Sequence, residues 1–333
     1  MGLKVGLLGG GSWGTTVAAL VARNTDITIW ARDEATVNEI NQEHTNRKYL
    51  PDTTLPENLV AVSSIADAVS SIDVLIMGVP SQGFRGVLEQ VKPHLRAWVP
   101  VISLTKGLEL DTRMRMTEII EEVLPGHPVG VLTGPNLARE IMAGQAAASV
   151  IAMEDDIIVR ELQAVFRSGL FRVYTNDDVI GCELGGVLKN IIAIAVGMGD
   201  GQGAGDNTRS ALITRGLAEV TRLGVAMGGR AETFAGLAGM GDMIATCTSP
   251  QSRNRHVGVE LGKGRSIDDI IEEMVMVAEG VKSAPAVIAL AEEHGIEMPI
   301  AQDVYRVVQK GSSARQAFRG LLRVVPGAES EPG

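Results

Sequence analysis

A glycine-rich turn that follows an apolar N-terminal segment constrains the fold more than any other feature of this sequence. Residues 3–8 are mostly apolar and predict a buried strand, and GGGSWG at 9–14 matches the pattern G-x-G-x-x-G. A helical pattern begins at about Thr15 and a second short strand covers Ile27–Trp30. The glycines therefore open the helix of a βαβ unit, and in that context they predict a dinucleotide-binding fold rather than a plain turn.

The three glycines of the pattern have separate roles. Gly9 permits a tight turn, Gly11 lets a pyrophosphate approach the backbone, and Gly14 lets helix and strand pack closely. The start of the helix adds free N–H groups and the positive end of its dipole. We therefore expect the pyrophosphate of a dinucleotide to bind at this turn.

The end of the second strand leaves the choice of dinucleotide open. An acidic residue there binds the ribose 2′-OH of NAD, whereas an arginine accommodates the 2′-phosphate of NADP. Arg32 comes first after the strand and favours NADP(H), and Asp33 keeps NAD(H) as the alternative. A flavin could also use the glycine pattern, but the sequence offers no second nucleotide motif to support one.

Alternating strand and helix patterns predict an α/β N-terminal domain over residues 1–180. Helical patterns such as Phe84–Val91 and Met114–Val123 separate strand-like runs, and this alternation indicates parallel βαβ units in a Rossmann-type doubly wound sheet. The strand-like runs after the first two are Val60–Val62, Val74–Val79, Val99–Leu104, Val129–Leu132, Ala147–Ala152 and Phe171–Tyr174.

Strand patterns disappear after about Asp178, and residues 181–325 predict an all-helical domain followed by a frayed tail at 326–333. Ser266 and Asp269 have capping-box spacing, and Gly295 and Gly311 are placed as C-terminal caps. A second glycine pattern, GLAGMG at 236–241, follows no strand and is set aside. The candidate helices are 181–198, 208–223, 232–247, 267–274, 280–294, 300–310 and 313–322.

Charge and cysteine content exclude several classes of protein. Forty acidic and 30 basic residues give a net charge of -10, which repels nucleic acid, and there is no long basic run. Two cysteines and no metal-ligand spacing argue against a disulfide framework or a metal site. No apolar segment reaches the roughly 18 residues that span a bilayer, so we expect a cytoplasmic protein without stable membrane insertion. The helical half could supply a homodimer interface.

Lys189 is the most unusual charged residue. It is the only charge between Leu184 and Met198, in a helix that is apolar nearly all round and is therefore expected to be buried. A buried ammonium is costly unless it is paired or loses its proton, and desolvation lowers a lysine's pKa toward the range useful for proton transfer. A side chain that reaches the surface from the helix edge is the alternative.

Three further places carry candidate chemistry. Lys106 lies just past a strand, where ligands of open α/β sheets bind, although a surface lysine in a turn is the simpler interpretation. Asp242 precedes a helical stretch and could be an N-cap. Arg253-Asn254-Arg255 follows a turn-rich segment and is either a solvated loop or a local phosphate clamp.

Taken together, these segments resemble the bacterial NAD(P)-dependent glycerol-3-phosphate dehydrogenases over nearly the whole chain, from Gly9 to about Leu322. Several separate blocks in the same order make the resemblance specific. The blocks are GGGSWGT at 9–15, SLTKGLE at 103–109, LTGPNLAREI at 132–141, ELGGVLKNIIAIAVGMGDG at 183–201, TRSALITRGLAEVTRLG at 208–224, GLAGMGDMIATCTSPQSRNR at 236–255 and VAEG at 277–280.

The resemblance implies roles that the residues alone do not establish. It makes Lys189 the proton donor and acceptor, with Asn190, Lys106 and Asp242 assisting it. The substrate contacts it implies are Lys106, Gly134, Asn136, Asp242, Ser252, Arg253 and Asn254. The cofactor contacts it implies are Gly9, Gly11, Ser12, Trp13, Gly14, Arg32, Lys106, Ala138, Arg253, Val277 and Glu279. Many members have Ser where this chain has Asn136, which leaves the contacts of that residue in question.

The resemblance also implies a reaction. Dihydroxyacetone phosphate would enter between the domains and be reduced by NAD(P)H to sn-glycerol 3-phosphate, a precursor of phospholipids. Two alternatives stay open. One is a related two-domain dehydrogenase acting on a 3-hydroxyacid or 6-phosphogluconate. The other is a non-enzymatic sensor of the NAD(P)H ratio, which would not need a buried lysine.

Overall fold

A computed structural model describes residues 2–274 and 278–321, with backbone only for residues 318–321. The chain divides into two compact units. The first comprises residues 1–109 and 114–179, and the second comprises residues 110–113 and the chain from Ile180 onward. Val277 and the proposed tail at 326–333 lie outside the described residues.

The first unit contains an eight-stranded sheet in the order β10-β9-β8-β7-β6-β1-β2-β5. The elements in chain order are β1 (Lys4–Leu8), α1 (Ser12–Val21), β2 (Asp26–Trp30), α2 (Glu34–Glu43), β3 (Thr45–Asn46), β4 (Leu50–Thr54), β5 (Leu59–Val62), α3 (Ile65–Val69), β6 (Val74–Met77), α4 (Ser81–Val91), β7 (Val101–Ser103), α5 (Met116–Val123), β8 (Val129–Thr133), α6 (Ala138–Met142), β9 (Ala147–Met153), α7 (Asp156–Phe166) and β10 (Phe171–Asn176).

The sheet is covered on both faces, as near-continuous apolar strands require. Residues such as Leu7 and Ile29 belong to one core cluster, whereas Leu8 and Leu75 belong to a second cluster. Alternate residues of a strand point to opposite faces, so neighbouring Leu7 and Leu8 contribute to different cores. This arrangement confirms the doubly wound α/β class.

Two strands depart from the predicted parallel arrangement. β9 pairs antiparallel with β8, and β10 runs parallel to β9. The reason is the connection from β8 to β9, whose only helix, α6, has five residues and is about 7.5 Å long. That helix is too short to carry the chain back along a five-residue strand of about 16 Å. The chain therefore enters β9 beside the carboxyl end of β8, and the two strands run antiparallel.

A two-stranded antiparallel hairpin, β3–β4, was not predicted from the sequence. It lies between α2 and β5, and it forms a separate small sheet. Its strands are short and largely polar and lack an alternating apolar pattern, so period-two reasoning could not find them.

The second unit is helical in the described residues, as predicted. Its elements are α8 (Val179–Gly201), α9 (Asp206–Ala226), α10 (Ala231–Phe234), a π-helical turn (Leu237–Gly241), α11 (Asp242–Thr248), α12 (Arg253–Gly262), α13 (Ile267–Glu272), α14 (Glu279–Glu293), α15 (Pro299–Lys310) and α16 (Ala314–Leu321).

The helix caps expected in this unit are present, but one of the expected helices is divided. Ser266 caps α13 and accepts a hydrogen bond from the Asp269 amide, and Gly295 and Gly311 have positive φ at helix ends, which confirms these caps. The single helix expected over 232–247 is wrong, because the glycine-rich segment breaks it into α10, a π-helical turn and α11.

Helix α8 is the core of the second unit. Every residue from Gly181 to Gly199 is buried. By length and hydropathy it is the one described helix that could span a membrane, so the expectation that no apolar segment is long enough was wrong. However, 89% of its apolar window is buried inside the protein. An apolar helix packed on all sides is also the expected core of a large helical domain.

Helices α8 and α12 approach each other through glycines. A Cβ atom at Gly197 would overlap the Arg255 carbonyl oxygen and lie 3.0 Å from the Gly258 Cα atom. A Cβ atom at Gly258 would likewise overlap the Ile194 carbonyl oxygen. The two helices therefore touch backbone to backbone, which brings the N-terminal half of α12 against the middle of α8.

Candidate active site

The glycine-rich turn has the conformation that its sequence predicts. Gly9 has φ of 132°, and a Cβ atom there would lie 2.5 Å from the Gly78 carbonyl oxygen. A Cβ atom at Gly14 would overlap the Gly9 carbonyl oxygen. These two glycines are therefore required by the fold itself.

Gly11 differs from its neighbours because the fold does not require a glycine there. Its φ of -78° and ψ of 179° are accessible to any residue. A Cβ atom at Gly11 would meet no atom within 4 Å. The missing side chain leaves open space at the N-cap of α1, where helix N–H groups attract an anion. The turn thus fits a pyrophosphate by shape and by chemistry.

The side chains after β2 occupy different positions. The Asp33 carboxylate caps α2 and accepts a hydrogen bond from the Ala35 amide at 3.1 Å. It is also 3.4 Å from the Thr36 hydroxyl. Arg32 is exposed at the carboxyl end of the strand. An aspartate engaged as a helix cap is less available to a ribose, whereas the exposed guanidinium can reach a phosphate.

Lys106 and Gly134 meet at the carboxyl edge of the sheet. Lys106 follows β7 and Gly134 follows β8, and these strands are parallel neighbours. The Lys106 ammonium donates a hydrogen bond to the Gly134 carbonyl oxygen at 3.0 Å. Because β1 and β2 point the same way as β7, Lys106, Gly134, the glycine-rich turn and Arg32 share this edge.

The Asn136 side chain connects the loop after β8 to strand β9 by hydrogen bonds. Its amide donates to the Ala148 carbonyl at 3.2 Å and accepts from the Ser149 hydroxyl at 3.0 Å. The one hydroxyl proton of Ser149 is shared between Asn136 and the Thr133 carbonyl oxygen, which is 2.7 Å from the Ser149 hydroxyl. Both ends of the amide are therefore engaged with β9, so this residue supports the Gly134 loop.

Lys189 is buried and paired, which resolves the two alternatives left by the sequence. Its Nζ lies 2.7 Å from Asp242 Oδ1 and also donates a hydrogen bond to the Thr246 hydroxyl. The side chains of Lys189 and Asp242 are 6% and 3% exposed. Asp242 and Thr246 are four residues apart on α11 and so share one face. The carboxylate offsets the desolvation cost of the ammonium.

The residues around this pair are buried, and they include Cys247 and Asn190. Burial raises the pKa of the neighbouring Cys247 thiol to about 12, against the opposing influence of the Lys189 ammonium. The thiol is therefore neutral at physiological pH. Lys189 Nζ is held at a fixed position in a buried environment, as general acid–base catalysis requires of a group that exchanges a proton with a substrate.

A chain of amides links three helices beside Lys189. Asn254 on α12 donates to the Asn190 side-chain oxygen at 3.0 Å. Its own side-chain oxygen accepts from the Gly280 amide on α14 at 3.0 Å. Asn190 follows Lys189 directly on α8, so these contacts fix the helix turn that carries the lysine.

The segment Ser252–Arg255 is not the loop considered from the sequence. Ser252 is the N-cap of α12 and accepts a hydrogen bond from the Arg255 amide at 3.2 Å. Arg255 forms an ion pair with Asp200 at 2.6 Å, so its guanidinium is engaged with the end of α8. Arg253 is exposed in the first turn of α12 and interacts electrostatically with Glu279.

Within the described residues, the remaining predicted cofactor contacts lie at helix starts. Ser12 and Trp13 open α1, and Ala138 opens α6. The Trp13 ring packs edge-on against Phe171 at 6.5 Å between ring centroids. Glu279 is the first residue of α14.

Two residues of this site were not singled out from the sequence. Thr246 contacts Lys189, and the spacing Asp242-x-x-x-Thr246 on a helix was a signal that could have identified it. Gly280 donates its amide to Asn254, and a Cβ atom there would lie 2.8 Å from the Asn190 carbonyl oxygen. No local pattern marks Gly280, because its need for a small residue arises from packing between helices distant in sequence.

Comparison with known proteins gives matches along almost the whole chain. Residues 4–158 match the NAD-dependent glycerol-3-phosphate dehydrogenase N-terminus, and residues 178–319 match the NAD-dependent glycerol-3-phosphate dehydrogenase C-terminus.

Individual relatives agree with these profile matches. The chain is 72% identical over 333 residues to a glycerol-3-phosphate dehydrogenase (NAD(P)+) of Sphingopyxis alaskensis, covering 100% of both chains. It is 56% identical to one of Mycobacterium bovis, covering 98% of this chain and 96% of the relative. The crystal structure of a glycerol-3-phosphate dehydrogenase from Coxiella burnetii is similar with a TM-score of 0.93 and 37% identity, covering 97% and 99% of the two chains.

Proposed function

Since the chain belongs to the NAD-dependent glycerol-3-phosphate dehydrogenase family, we propose that its buried lysine and glycine-rich turn carry out that family's reaction. The protein is an oxidoreductase that interconverts dihydroxyacetone phosphate and sn-glycerol 3-phosphate with NAD(P)H. The assignment of individual residues to that reaction is our proposal.

One observation carries the assignment of the catalytic group. Lys189 is buried, yet it is held by Asp242 and Thr246 in a fixed position. NAD(P)H, when bound, would supply the hydride for the carbonyl carbon of dihydroxyacetone phosphate. Lys189 Nζ donates a proton to the carbonyl oxygen, which becomes the C2 hydroxyl, and a solvent proton later restores the ammonium. In the reverse direction the neutral amine accepts the hydroxyl proton.

The phosphate of the substrate is assigned to the start of α12. Arg253 is exposed there and carries the guanidinium fork that matches phosphate oxygens. Ser252, Asn254 and the positive end of the α12 helix dipole lie beside it. Lys106 and Gly134 are assigned to the substrate from the carboxyl edge of the sheet. Asn136, whose amide is engaged with β9, is assigned to the substrate site through the Gly134 loop that it supports. In a chain of net charge -10, such local groups must supply the attraction for an anionic substrate.

The dinucleotide is assigned to the turn at 9–14, with Ser12, Trp13, Ala138, Val277 and Glu279 as further contacts. Arg32 is expected to give a preference for NADPH, because Asp33 is engaged as the cap of α2. We expect Arg32→Ala to raise the KM for NADPH about tenfold or more and to leave the KM for NADH nearly unchanged. Equal changes in both KM values would remove Arg32 from the 2′-phosphate.

The test of the function is a direct assay. Purified protein is mixed with dihydroxyacetone phosphate, and the absorbance of NADPH and then of NADH is followed. Oxidation that depends on dihydroxyacetone phosphate is expected, and the product is identified as sn-glycerol 3-phosphate. Binding of both dinucleotides without oxidation would contradict the substrate. A panel of 3-hydroxyacids and 6-phosphogluconate then tests the related dehydrogenases, and no turnover on any of them would favour a nucleotide sensor.

The cellular setting is also a proposal. A cytoplasmic enzyme of this kind would supply glycerol 3-phosphate for phospholipid synthesis. We further propose a homodimer, which light scattering coupled to size exclusion measures directly. A mass of about 35.2 kDa at micromolar concentration would exclude it.

A further inference from the structure

A buried amide from the β3–β4 hairpin contacts the glycine-rich turn. Asn46 is 0% exposed, and its Nδ2 donates to the Gly10 carbonyl oxygen at 3.0 Å and to the Thr15 hydroxyl at 2.9 Å. We propose that Asn46 is a positioning residue, which holds the turn in the conformation that binds the dinucleotide pyrophosphate. This inference rests on the proposed function of the turn at 9–14.

Contacts with helix α2 fix the position of Asn46 independently of the glycine-rich turn. The Thr45 hydroxyl and the Arg47 amide both donate to one carboxylate oxygen of Glu39 on α2, at 2.9 and 2.8 Å. The Tyr49 amide donates to the Asn46 carbonyl at 3.1 Å and closes the hairpin. The Asn46 amide therefore reaches the turn from a support that is anchored on the neighbouring helix.

The turn needs such a support because it contains three consecutive glycines. Glycine has wide backbone freedom, so Gly9, Gly10 and Gly11 can adopt many conformations before a ligand binds. A trans peptide is planar with its C=O and N–H pointing in opposite directions. A hydrogen bond that fixes the Gly10 oxygen therefore also fixes the direction of the Gly11 N–H.

The second hydrogen bond ties the turn to the helix that follows it. Thr15 is buried in the first turn of α1, and its amide donates to the Gly11 carbonyl at 2.9 Å. Asn46 thus joins the residue before the N-cap to the first helical turn. The N–H groups between them are those that the helix leaves without intrahelical partners and that an anion binds.

The contacts of Asn46 with the turn depend on the hydrogen-bond donors of its side-chain amide and not only on its shape. Its two N–H groups face two acceptors, the Gly10 carbonyl and the Thr15 hydroxyl. An aspartate has the same shape but cannot donate to the Gly10 oxygen and would repel it. A residue that only filled space would tolerate this change, whereas a residue that orients the turn would not.

The experiment compares Asn46→Ala, Asn46→Asp and Thr15→Val with a control, Asn41→Ala. Asn41 also makes two hydrogen bonds to backbone, with Ala61 N and O at 2.8 and 2.9 Å, but it fastens β5 and does not contact the turn. The dissociation constant of NADPH is measured by its fluorescence. Thermal unfolding without ligand, and kcat and KM with dihydroxyacetone phosphate, are measured for each variant.

We expect both Asn46 variants to raise the Kd and KM for NADPH about 10- to 100-fold, because two hydrogen bonds that order the site are lost. Thr15→Val, which removes one acceptor and keeps its shape, should raise them about threefold to tenfold. At saturating NADPH the kcat should stay within about threefold of wild type. Asn41→Ala should lower the unfolding temperature without changing the Kd.

A wild-type Kd in folded Asn46→Asp, or an equal rise in Kd in Asn41→Ala, would overturn the proposal. Gly11→Val separates this failure from a failure of the proposed function, because its side chain would occupy open space in the turn. If Gly11→Val abolishes NADPH binding while Asn46→Asp binds normally, the site stands and Asn46 has no positioning role. If Gly11→Val also binds normally, the pyrophosphate site itself is wrong.

Discussion

Single residues show how the helical unit tolerates charges in its core. The Lys189 ammonium and the Asp242 carboxylate offset one another's desolvation, and Thr246 supplies a further hydrogen bond. A buried pair of this kind contributes little net stability, but removal of one partner leaves an uncompensated charge. The pair is therefore better explained by its chemistry than by its contribution to folding.

Lys189→Met and Asp242→Asn should each lower the free energy of unfolding by about 3–5 kcal/mol, because each leaves one buried charge without its main partner. The double variant should recover much of that stability. All three should lose activity by at least about a thousandfold, because none retains a proton donor held by a carboxylate. Urea unfolding and kcat/KM measure the two effects, and near-wild-type turnover in Lys189→Met would exclude the lysine as the acid.

A second buried acid has a structural role. Glu219 on α9 accepts hydrogen bonds from the Ile300 and Ala301 amides at 2.8 and 3.2 Å, and so caps α15 from outside. Met298, the N-cap residue of α15, makes no side-chain cap, and Pro299 has no N–H. Burial raises the pKa of Glu219 to about 7, and the two backbone hydrogen bonds and the charges of Arg222 and Arg215 partly oppose this rise.

The pKa of Glu219 predicts a dependence of stability on pH. The folded state binds this proton more tightly than the unfolded chain, so its contribution is present below about pH 4.5 and is lost as pH rises through about 7. The loss is of the order of 3 kcal/mol. Glu219→Gln should flatten this part of the profile in urea unfolding at pH 5, 6, 7 and 8. If the unfolding free energies of the wild type and Glu219→Gln changed equally with pH, the assignment of this pH dependence to Glu219 would be wrong.

At the level of helices and strands, packing decides what the sequence pattern leaves open. The βαβ start at Gly9–Gly14 was predictable because local pattern and tertiary role coincide there. Helix α12 was missed because its sequence contains two glycines and few apolar residues, which gives it low helix propensity. Those glycines are what allow α12 to pack against the backbone of α8, so tertiary contact overrides propensity.

The candidate site was likewise predictable only where a local sequence pattern marks a residue. Lys189 stood out because a lone charge in an apolar helix has few explanations. Its contacts with Thr246 and the amide chain through Asn254 to Gly280 depend on how three helices meet. That geometry is not encoded in any one segment.

Glycine-to-alanine substitution is expected to destabilise the protein where α8 and α12 touch and to stabilise it at an open helix position elsewhere. Gly197→Ala or Gly258→Ala should lower the unfolding free energy by several kcal/mol, because each Cβ atom overlaps a carbonyl oxygen of the other helix. Gly86→Ala in α4, where a Cβ atom meets nothing within 4 Å, should raise it by about 0.5–1 kcal/mol. Chemical denaturation measures all three, and a neutral Gly197→Ala would mean that the helices can separate at little cost.

On the scale of the whole molecule, the aromatic residues are unevenly distributed. The chain has three tryptophans, Trp13, Trp30 and Trp98, and all belong to the first unit. Tryptophan emission therefore reports on the unit that contains the glycine-rich turn. A dye that binds exposed apolar surface reports the unfolding of both units. An unfolding step that the dye detects and tryptophan emission does not therefore belongs to the second unit.

NADPH at about 100 times its Kd should stabilise the folded state by about 2.7 kcal/mol and raise the tryptophan-monitored melting temperature. Gly11→Val should melt at the ligand-free temperature of the wild type and show no shift with NADPH. A shift of the same size in that variant would place the dinucleotide elsewhere.

The β3–β4 hairpin has a consequence for anyone who redesigns this protein. Judged by length and polarity, residues 45–54 are a surface excursion of the kind that is shortened to gain thermostability. Such a shortening would also delete the buried amide that faces Gly10 and Thr15. The edited protein would keep its sheet and its glycines and would melt normally, yet it would need far more dinucleotide to work. A screen based on heat resistance alone would select it.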